Sequence, residues 1–206
     1  MDIKINLGWY ARRLTLDLNI FDDCFARHLQ AFEATKEACS KSMEQLSEKA
    51  AKALEDGKRI FFFGNGGSAA DAQHLAAELS IRFIKDRRAL AGIALTTDSS
   101  VLTACGNDLG FEQVFARQLE ALGQSGDVAL GFSTSGNSPN VVLALACAAR
   151  KGMTAAAFAG RDGGRLRGIA DPLIVVPSDE TARIQEMHIL LGHILCTEIE
   201  HRLGLS

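Results

Sequence analysis

The sequence predicts an α/β protein in which a five-stranded parallel sheet is covered by helices on both faces, with a long N-terminal helix in front of it. Three observations carry this expectation. Short, unbroken apolar runs alternate with segments of helical period. Glycine-rich turns join two of those runs to the helical segments after them. Continuous apolar strands, as opposed to alternating ones, belong to a sheet buried on both sides.

The elements come in order along the chain. From 18 to 55, Leu29, Phe32, Cys39, Met43, Leu46, Ala50 and Leu54 recur at spacings near three and four, or sums of them, which is the stripe of an amphipathic helix. No proline interrupts it, and Asp56-Gly57 supplies a stop. Residues 59–63 (RIFFF) read as the first strand, 64–68 (GNGGS) as a glycine-rich turn, and 69–83 as a helix. A second strand is expected at 90–95, then helices at 99–104 and 111–122. A third strand at 127–132 precedes a helix at 139–151. The fourth strand, 153–158, is followed by a glycine-rich turn and a short helix at 165–170. A fifth strand at 173–176 and a closing helix at 181–202 complete the chain. Residues 1–56 are thus expected to be a helical segment packed on the core or on a subunit interface, and 57–206 the domain proper.

Composition narrows the function classes. The chain has 206 residues, with 22 Lys and Arg against 25 Asp and Glu, a net charge of −3. That length favours one domain, and 47% hydrophobic residues are enough for a sizeable core. One Trp, one Tyr and no basic excess argue against nucleic-acid binding. The five cysteines (Cys24, Cys39, Cys105, Cys147, Cys196) are scattered without a C-x-x-C pair, so reduced thiols and a cytoplasmic location are expected. The first twenty residues lack the apolar core of a secretory signal. The longest uncharged stretch, 128–149, holds STSGNSPN at its middle, whose polar groups exclude a membrane span.

In a parallel α/β sheet, ligands sit beyond the carboxyl ends of the strands, near the switch in strand order. Gly64-Asn65-Gly66-Gly67-Ser68 lies between a strand and a helix. Its glycines admit an anion close to the backbone, and the helix start offers free N–H groups. The string also fits a relaxed G-x-G-x-x-A dinucleotide pattern, but that pattern wants an acidic residue about 20 positions on; Asp98 comes too late. Ser133-Thr134-Ser135-Gly136-Asn137-Ser138 comes after the third strand and opens the next helix. Four hydroxyls there suit a phosphate monoester, although such clusters also serve as ordinary turns and caps. Two loops of this kind fit a sugar phosphate better than a dinucleotide.

A second constellation carries acid–base chemistry. His74 and Glu78 are four apart on the helix after GNGGS, one turn apart on one face. A surface His–Glu pair is the plain alternative. The closing helix carries Gln185, His188 and His193 on a mostly apolar sequence. Gln185 and His193 are two turns, roughly 12 Å, apart, so their side chains either meet midway or belong to sites completed by other subunits. Imidazole and carboxylate donors suit zinc. His28 and His201 read as solvated helix residues.

Three blocks, FFFGNGGSAADAQHLAAELSIRF, LTTDSSVLTACGNDLGFEQVFARQLEALGQSGDVALGFSTSGNSPNV and ARIQEMHILLGHI, resemble the sugar isomerase (SIS) family and, within it, the phosphoheptose isomerases. The resemblance runs from about residue 57 to 204 and more loosely through the helix from Phe21; the first 20 or so residues resemble nothing familiar. It implies a flavodoxin-like, three-layer α/β/α sandwich, and a cytoplasmic homotetramer with active sites between subunits. It implies interconversion of sedoheptulose 7-phosphate and D-glycero-D-manno-heptose 7-phosphate through an enediol. That is the first step towards the ADP-heptoses of lipopolysaccharide cores and related glycans. Zinc, one per subunit, would be held by His74, Glu78, Gln185 and His193. Substrate would be held by Asn65, Gly66, Gly67, Ser68, Asn107, Asp108, Ser133, Thr134, Ser135 and Ser138, together with Glu78 and Gln185. Glu78 would be the base and His193 the acid. Some phosphoheptose isomerases carry Asp where this chain has Ala182, so no role is carried over to that position. The alternatives are another sugar-phosphate enzyme of this fold, or a non-enzymatic SIS regulator that binds a sugar phosphate or a partner in replication initiation. Related replication-initiation regulators look to have lost the matching Glu and last His; this chain keeps both.

Overall fold

A computed structural model describes residues 19–205. The segment 1–18, the first part of the helical segment expected at 1–56, and Ser206 lie outside the described residues. The elements run α1 (Asn19–Glu55), β1 (Ile60–Gly64), α2 (Gly67–Ser80), β2 (Gly92–Ala94), α3 (Ser99–Asp108), α4 (Ala116–Leu122), β3 (Val128–Ser133), α5 (Pro139–Arg150), β4 (Thr154–Gly160), β5 (Leu173–Val176) and α6 (Thr181–Arg202), with short 3-10 turns at Phe111–Gln113 and Gly164–Leu166. All five strands pair in parallel in the order β2-β1-β3-β4-β5. This is the flavodoxin-like order, whose switch point lies between β1 and β3.

Side-chain alternation divides the core in two. Ile60, Phe62, Leu130, Phe132 and Phe158 face one way and pack under α1, α2 and α6. Phe61, Phe63, Ala129, Ala157 and Ala159 face the other way, towards residues of α4 and α5 such as Leu119, Val141 and Leu145. Strands β1, β3 and nearly all of β4 are therefore buried on both faces, and that is why they read as unbroken apolar runs. Helix α1 lies along α6 and β5, its stripe of Cys39, Met43, Leu46, Ala50 and Leu54 buried against them.

Two expected helices differ in the structure. The segment 111–122 divides into a 3-10 turn and the short α4, because Val114 and Phe115 are both buried between them. The chain bends there to seat the Phe115 ring 5.4 Å from that of Phe63. The helix expected at 165–170 is one 3-10 turn. Among the described residues no helix is long and apolar enough to cross a membrane.

Candidate active site

The loops after β1 and β3 emerge side by side, since those strands are neighbours. A reciprocal amide pair locks them together: Asn65 Nδ2 donates to Asn140 Oδ1 at 2.9 Å, and Asn140 Nδ2 donates to Asn65 Oδ1 at 2.8 Å. Asn140 is buried in the first turn of α5. Sequence reasoning did not single it out; a polar residue amid PNVVLALA was the available signal.

Gly66 turns the first loop with φ of 57°, a left-handed conformation that glycine adopts without strain. Ser68 is buried below it, its N–H on the Asn65 carbonyl at 3.0 Å. In the second loop the Ser133 and Ser138 hydroxyls are 2.9 Å apart, and the Ser138 N–H reaches Ser133 Oγ at 3.3 Å. The Asn137 N–H donates to Ser135 Oγ at 3.2 Å. The turn after β4 braces this loop from outside, through Arg165 N–H to Asn137 Oδ1 and Leu166 N–H to the Gly136 carbonyl. Neither Gly66 nor Ser138 caps its helix with a side chain, but most first-turn N–H groups are engaged: those of Ser68 and Ala69 on the Asn65 and Gly66 carbonyls, and that of Val141 on Asn140 Oδ1, while Pro139 has none. What both helices direct at the shared crevice is a positive dipole end. By contrast α3 is capped: Asp98 accepts from the Val101 N–H at 3.0 Å. Its carboxylate is thus engaged as a helix cap.

Helices α2 and α6, more than 100 residues apart in sequence, lie side by side and match rung by rung. At the first rung the Gln185 amide lies against Gly67, where an added Cβ would stand 2.6 Å from Nε2. At the second, Gly192 presses on Leu75, and next to it His74 Nε2 and His193 Nε2 are 2.9 Å apart. Glu78 Oε1 lies 3.2 Å from the same His74 nitrogen. One imidazole donates to the other across the Nε2 pair, the direction being set by the tautomer, while Glu78 faces the same His74 nitrogen at ion-pair distance. Phe83 stacks on the His193 ring at 5.5 Å. The surface-pair alternative for His74 and Glu78 accounts for only part of this arrangement, because His193 joins it within the same chain.

Burial shifts three groups around the site. Burial pushes the Cys196 thiol up to about 12, helped by the negative charges of Glu78 and Glu200. Asp71, one turn before His74, is raised by burial against the opposing pull of that imidazole. His188 is a core histidine: its Nε2–H donates to the Ala159 carbonyl (3.1 Å), its ring packs against Phe132 and Phe158, and burial lowers it to about 4.

Not every candidate joins the group. Asn107 and Asp108 end α3, exposed and bonded to each other at 2.7 Å. None of their described hydrogen bonds reaches the two loops. Thr134 and Ser135 are half-buried in the second loop. His28 is not merely solvated: its Nδ1 pairs with Glu186 at 2.8 Å, joining α1 to α6. His201 is exposed at the end of α6.

The donor set suits a zinc ion in kind: two imidazole nitrogens, a carboxylate and, at the neighbouring rung, an amide. Separations of 2.9 and 3.2 Å approach the edge of a tetrahedron with zinc–nitrogen bonds of ~2.0–2.1 Å, roughly 3.3 Å. Among the described residues no three His, Cys, Asp or Glu side chains close into a ready metal cluster; His74 is the middle member of an open chain. His74, Glu78 and His193 fit the ion in kind and in spacing, while Gln185 stands one rung away against Gly67.

Comparison with known proteins identifies the family. The SIS domain family model matches residues 24–160. The phosphoheptose isomerase of Paramagnetospirillum magneticum is 57% identical over 179 residues, covering 87% of this chain and 93% of that protein. The chain belongs to the phosphoheptose isomerase family. Two solved phosphoheptose isomerases share its structure. That of Neisseria gonorrhoeae superposes with a TM-score of 0.82 at 43% identity, over 88% of this chain and 97% of the other. That of Francisella tularensis gives 0.87 at 36% identity, over 91% and 100%. The flavodoxin-like sandwich is the fold this chain shares with these phosphoheptose isomerases.

Proposed function

We propose that this chain interconverts sedoheptulose 7-phosphate and D-glycero-D-manno-heptose 7-phosphate. The observation that carries this reading is the convergence of His74, Glu78 and His193 beside two anion-type loops, in a chain of the phosphoheptose isomerase family. Aldose–ketose isomerisation moves a proton between C1 and C2 and another between their oxygens, through an enediol. Glu78 is the base at carbon: Oε1 faces His74, and no described hydrogen bond engages Oε2. His193 serves the oxygens as acid, its ring held by Phe83 and His74. Ser133, Thr134, Ser135 and Ser138, with their own backbone N–H groups, hold the phosphate far from the reacting carbons. Binding energy at that remote end orients C1 and C2. Asn65, Gly66, Gly67 and Ser68 line the sugar side.

Zinc belongs to the same proposal, held by His74, Glu78, Gln185 and His193. When bound it supplies Lewis acidity at the C1 and C2 oxygens. Asn107 and Asp108 would act on substrate in an assembled homotetramer. Support for assembly comes from exposed apolar side chains on α1 (Ile20, Phe21, Phe25, Leu29) and on the turn after α2 (Ile81, Ile84). All five cysteines are free and four are buried, as a reducing cytoplasm permits; entry into ADP-heptose synthesis for lipopolysaccharide completes the reading. The non-enzymatic alternative finds no support in the family match.

The test is turnover of sedoheptulose 7-phosphate by purified protein, with metal analysis, before and after chelation. Product formation that chelator abolishes and zinc restores is expected. Failure to turn over this ketose while another ketose phosphate reacts would replace the substrate assignment.

A further inference from the structure

One buried charged pair lies outside the chemistry described above. Arg87 and Glu200 are each 2% exposed at the side chain and meet at 2.8 Å, Nε to Oε1. Buried ion pairs are costly to assemble and contribute little stability over apolar packing of the same volume. What distinguishes this one is where the rest of the guanidinium goes. One terminal nitrogen donates to the Glu78 carbonyl and the other to the Leu79 carbonyl, both at 2.7 Å. These are carbonyls of the last turn of α2, which ends at Ser80 with no basic residue in that turn. Carbonyls at a helix end need a donor from outside the helix. Arg87 supplies it from the segment between α2 and β2, joined at Leu79 by the Leu90 N–H at 3.0 Å, while Glu200 anchors the guanidinium to α6.

The pair is therefore the third rung between the two helices that carry the site, after Gly67–Gln185 and His74–His193. Arg87 grips the backbone of Glu78 itself, and Glu200 ties that grip to α6 two turns beyond His193. We propose that Arg87, held by Glu200, is a positioning residue that sets the Glu78 carboxylate and the α2–α6 spacing for proton transfer. Only a planar fork with several fixed donors satisfies two carbonyls and a carboxylate together; a lysine ammonium lacks that geometry. The kinetic consequence rests on the isomerase reading, whereas the structural consequence does not.

The test compares Arg87→Lys, Arg87→Met and the double variant Arg87→Met/Glu200→Met, the last removing both charges so that no uncompensated ion is left buried. The expected result is a wild-type melting temperature in the double variant with kcat at least tenfold lower and the KM for sedoheptulose 7-phosphate within twofold, because the phosphate loop stands on β3 and α5. Arg87→Lys should recover less than half of the lost kcat. A crystal structure of the double variant should show His74 Nε2 and His193 Nε2 beyond hydrogen-bonding distance. Recovery of both melting temperature and kcat in the double variant would reduce the pair to a structural contact. So would an unchanged His74–His193 separation. If the wild-type protein does not isomerise this substrate, the functional reading fails, and the crystallographic comparison still decides the positioning role.

Discussion

Gly192 is a point of close approach between α2 and α6, and substituting it tests the rung arrangement directly. A Cβ there would stand 2.6 Å and 2.7 Å from the two methyl carbons of Leu75 and 3.1 Å from its Cγ, against 3.4–4 Å for ordinary contact. Leu75 is fully buried, so its methyl groups have no solvent to turn into. Either the side chain leaves its rotamer or the helices part by about 0.8 Å at the contact. Overpacking of this kind costs about 1–3 kcal/mol. Alanine in a helix interior recovers about 1 kcal/mol relative to glycine. The net is a loss of up to ~2 kcal/mol, or roughly 2–4 °C of melting temperature per kcal/mol at this chain length. The adjacent rung is His74–His193, and misplacing catalytic groups by ~1 Å costs about a hundredfold in rate. Calorimetry and turnover of Gly192→Ala should therefore show a modest fall in melting temperature and a ten- to hundredfold fall in kcat (~1.4 kcal/mol per tenfold). Adding Leu75→Val, which removes the methylene that Ala adds, should restore much of both. A Gly192→Ala protein that melts higher than wild type with unchanged kcat would refute the close-approach argument.

Four further outcomes are expected. Glu78→Gln should lower kcat about 10²–10⁴-fold with an unchanged circular dichroism spectrum, since the amide still faces His74; near-normal turnover would remove Glu78 as base. Ser135→Ala with Ser138→Ala should raise KM tenfold or more, as hydrogen bonds to a charged ester are worth about 1.5–3 kcal/mol each; an unchanged KM would end the anchoring role. Asn140→Ala should cost about 1–3 kcal/mol by orphaning the Asn65 amide, read as a lower urea midpoint at constant slope; an unchanged midpoint would mean the pair does not join the loops. His188 stays neutral in the fold down to about 4, while an unfolded histidine takes up its proton near 6.5. The unfolded state binds more protons between those values, so stability falls as pH drops from about 6.5 towards 4, by on the order of 3 kcal/mol in full. Urea unfolding across that range should show this slope and His188→Gln should flatten it; equal slopes would show that His188 is not its source.

Much of the candidate site could be read along the chain because local rules govern it. GNGGS and STSGNS announce themselves by composition at the ends of apolar strands, and parallel strands deliver such loops to one edge of the sheet. His74 and Glu78 share a helical face by spacing alone. Asn140 was missed because its role is a single cross-loop contact with Asn65, 75 positions away, for which no local period exists. Arg87 was missed for the same reason, since its partners are two carbonyls and Glu200.

The amino-acid order by itself determined the alternation of strands and helices, the double burial of the sheet, the two anion-type loops and the family. These are read from periodicity, turn chemistry and short motifs, all set by near neighbours. Only the tertiary structure decided that α2 and α6 run side by side in register, so that Gln185 meets Gly67, His193 meets His74 and Glu200 meets Arg87. Contacts between residues more than 100 positions apart are set by packing Gly192 against Leu75 and both helices against the sheet, and packing leaves no period in the sequence.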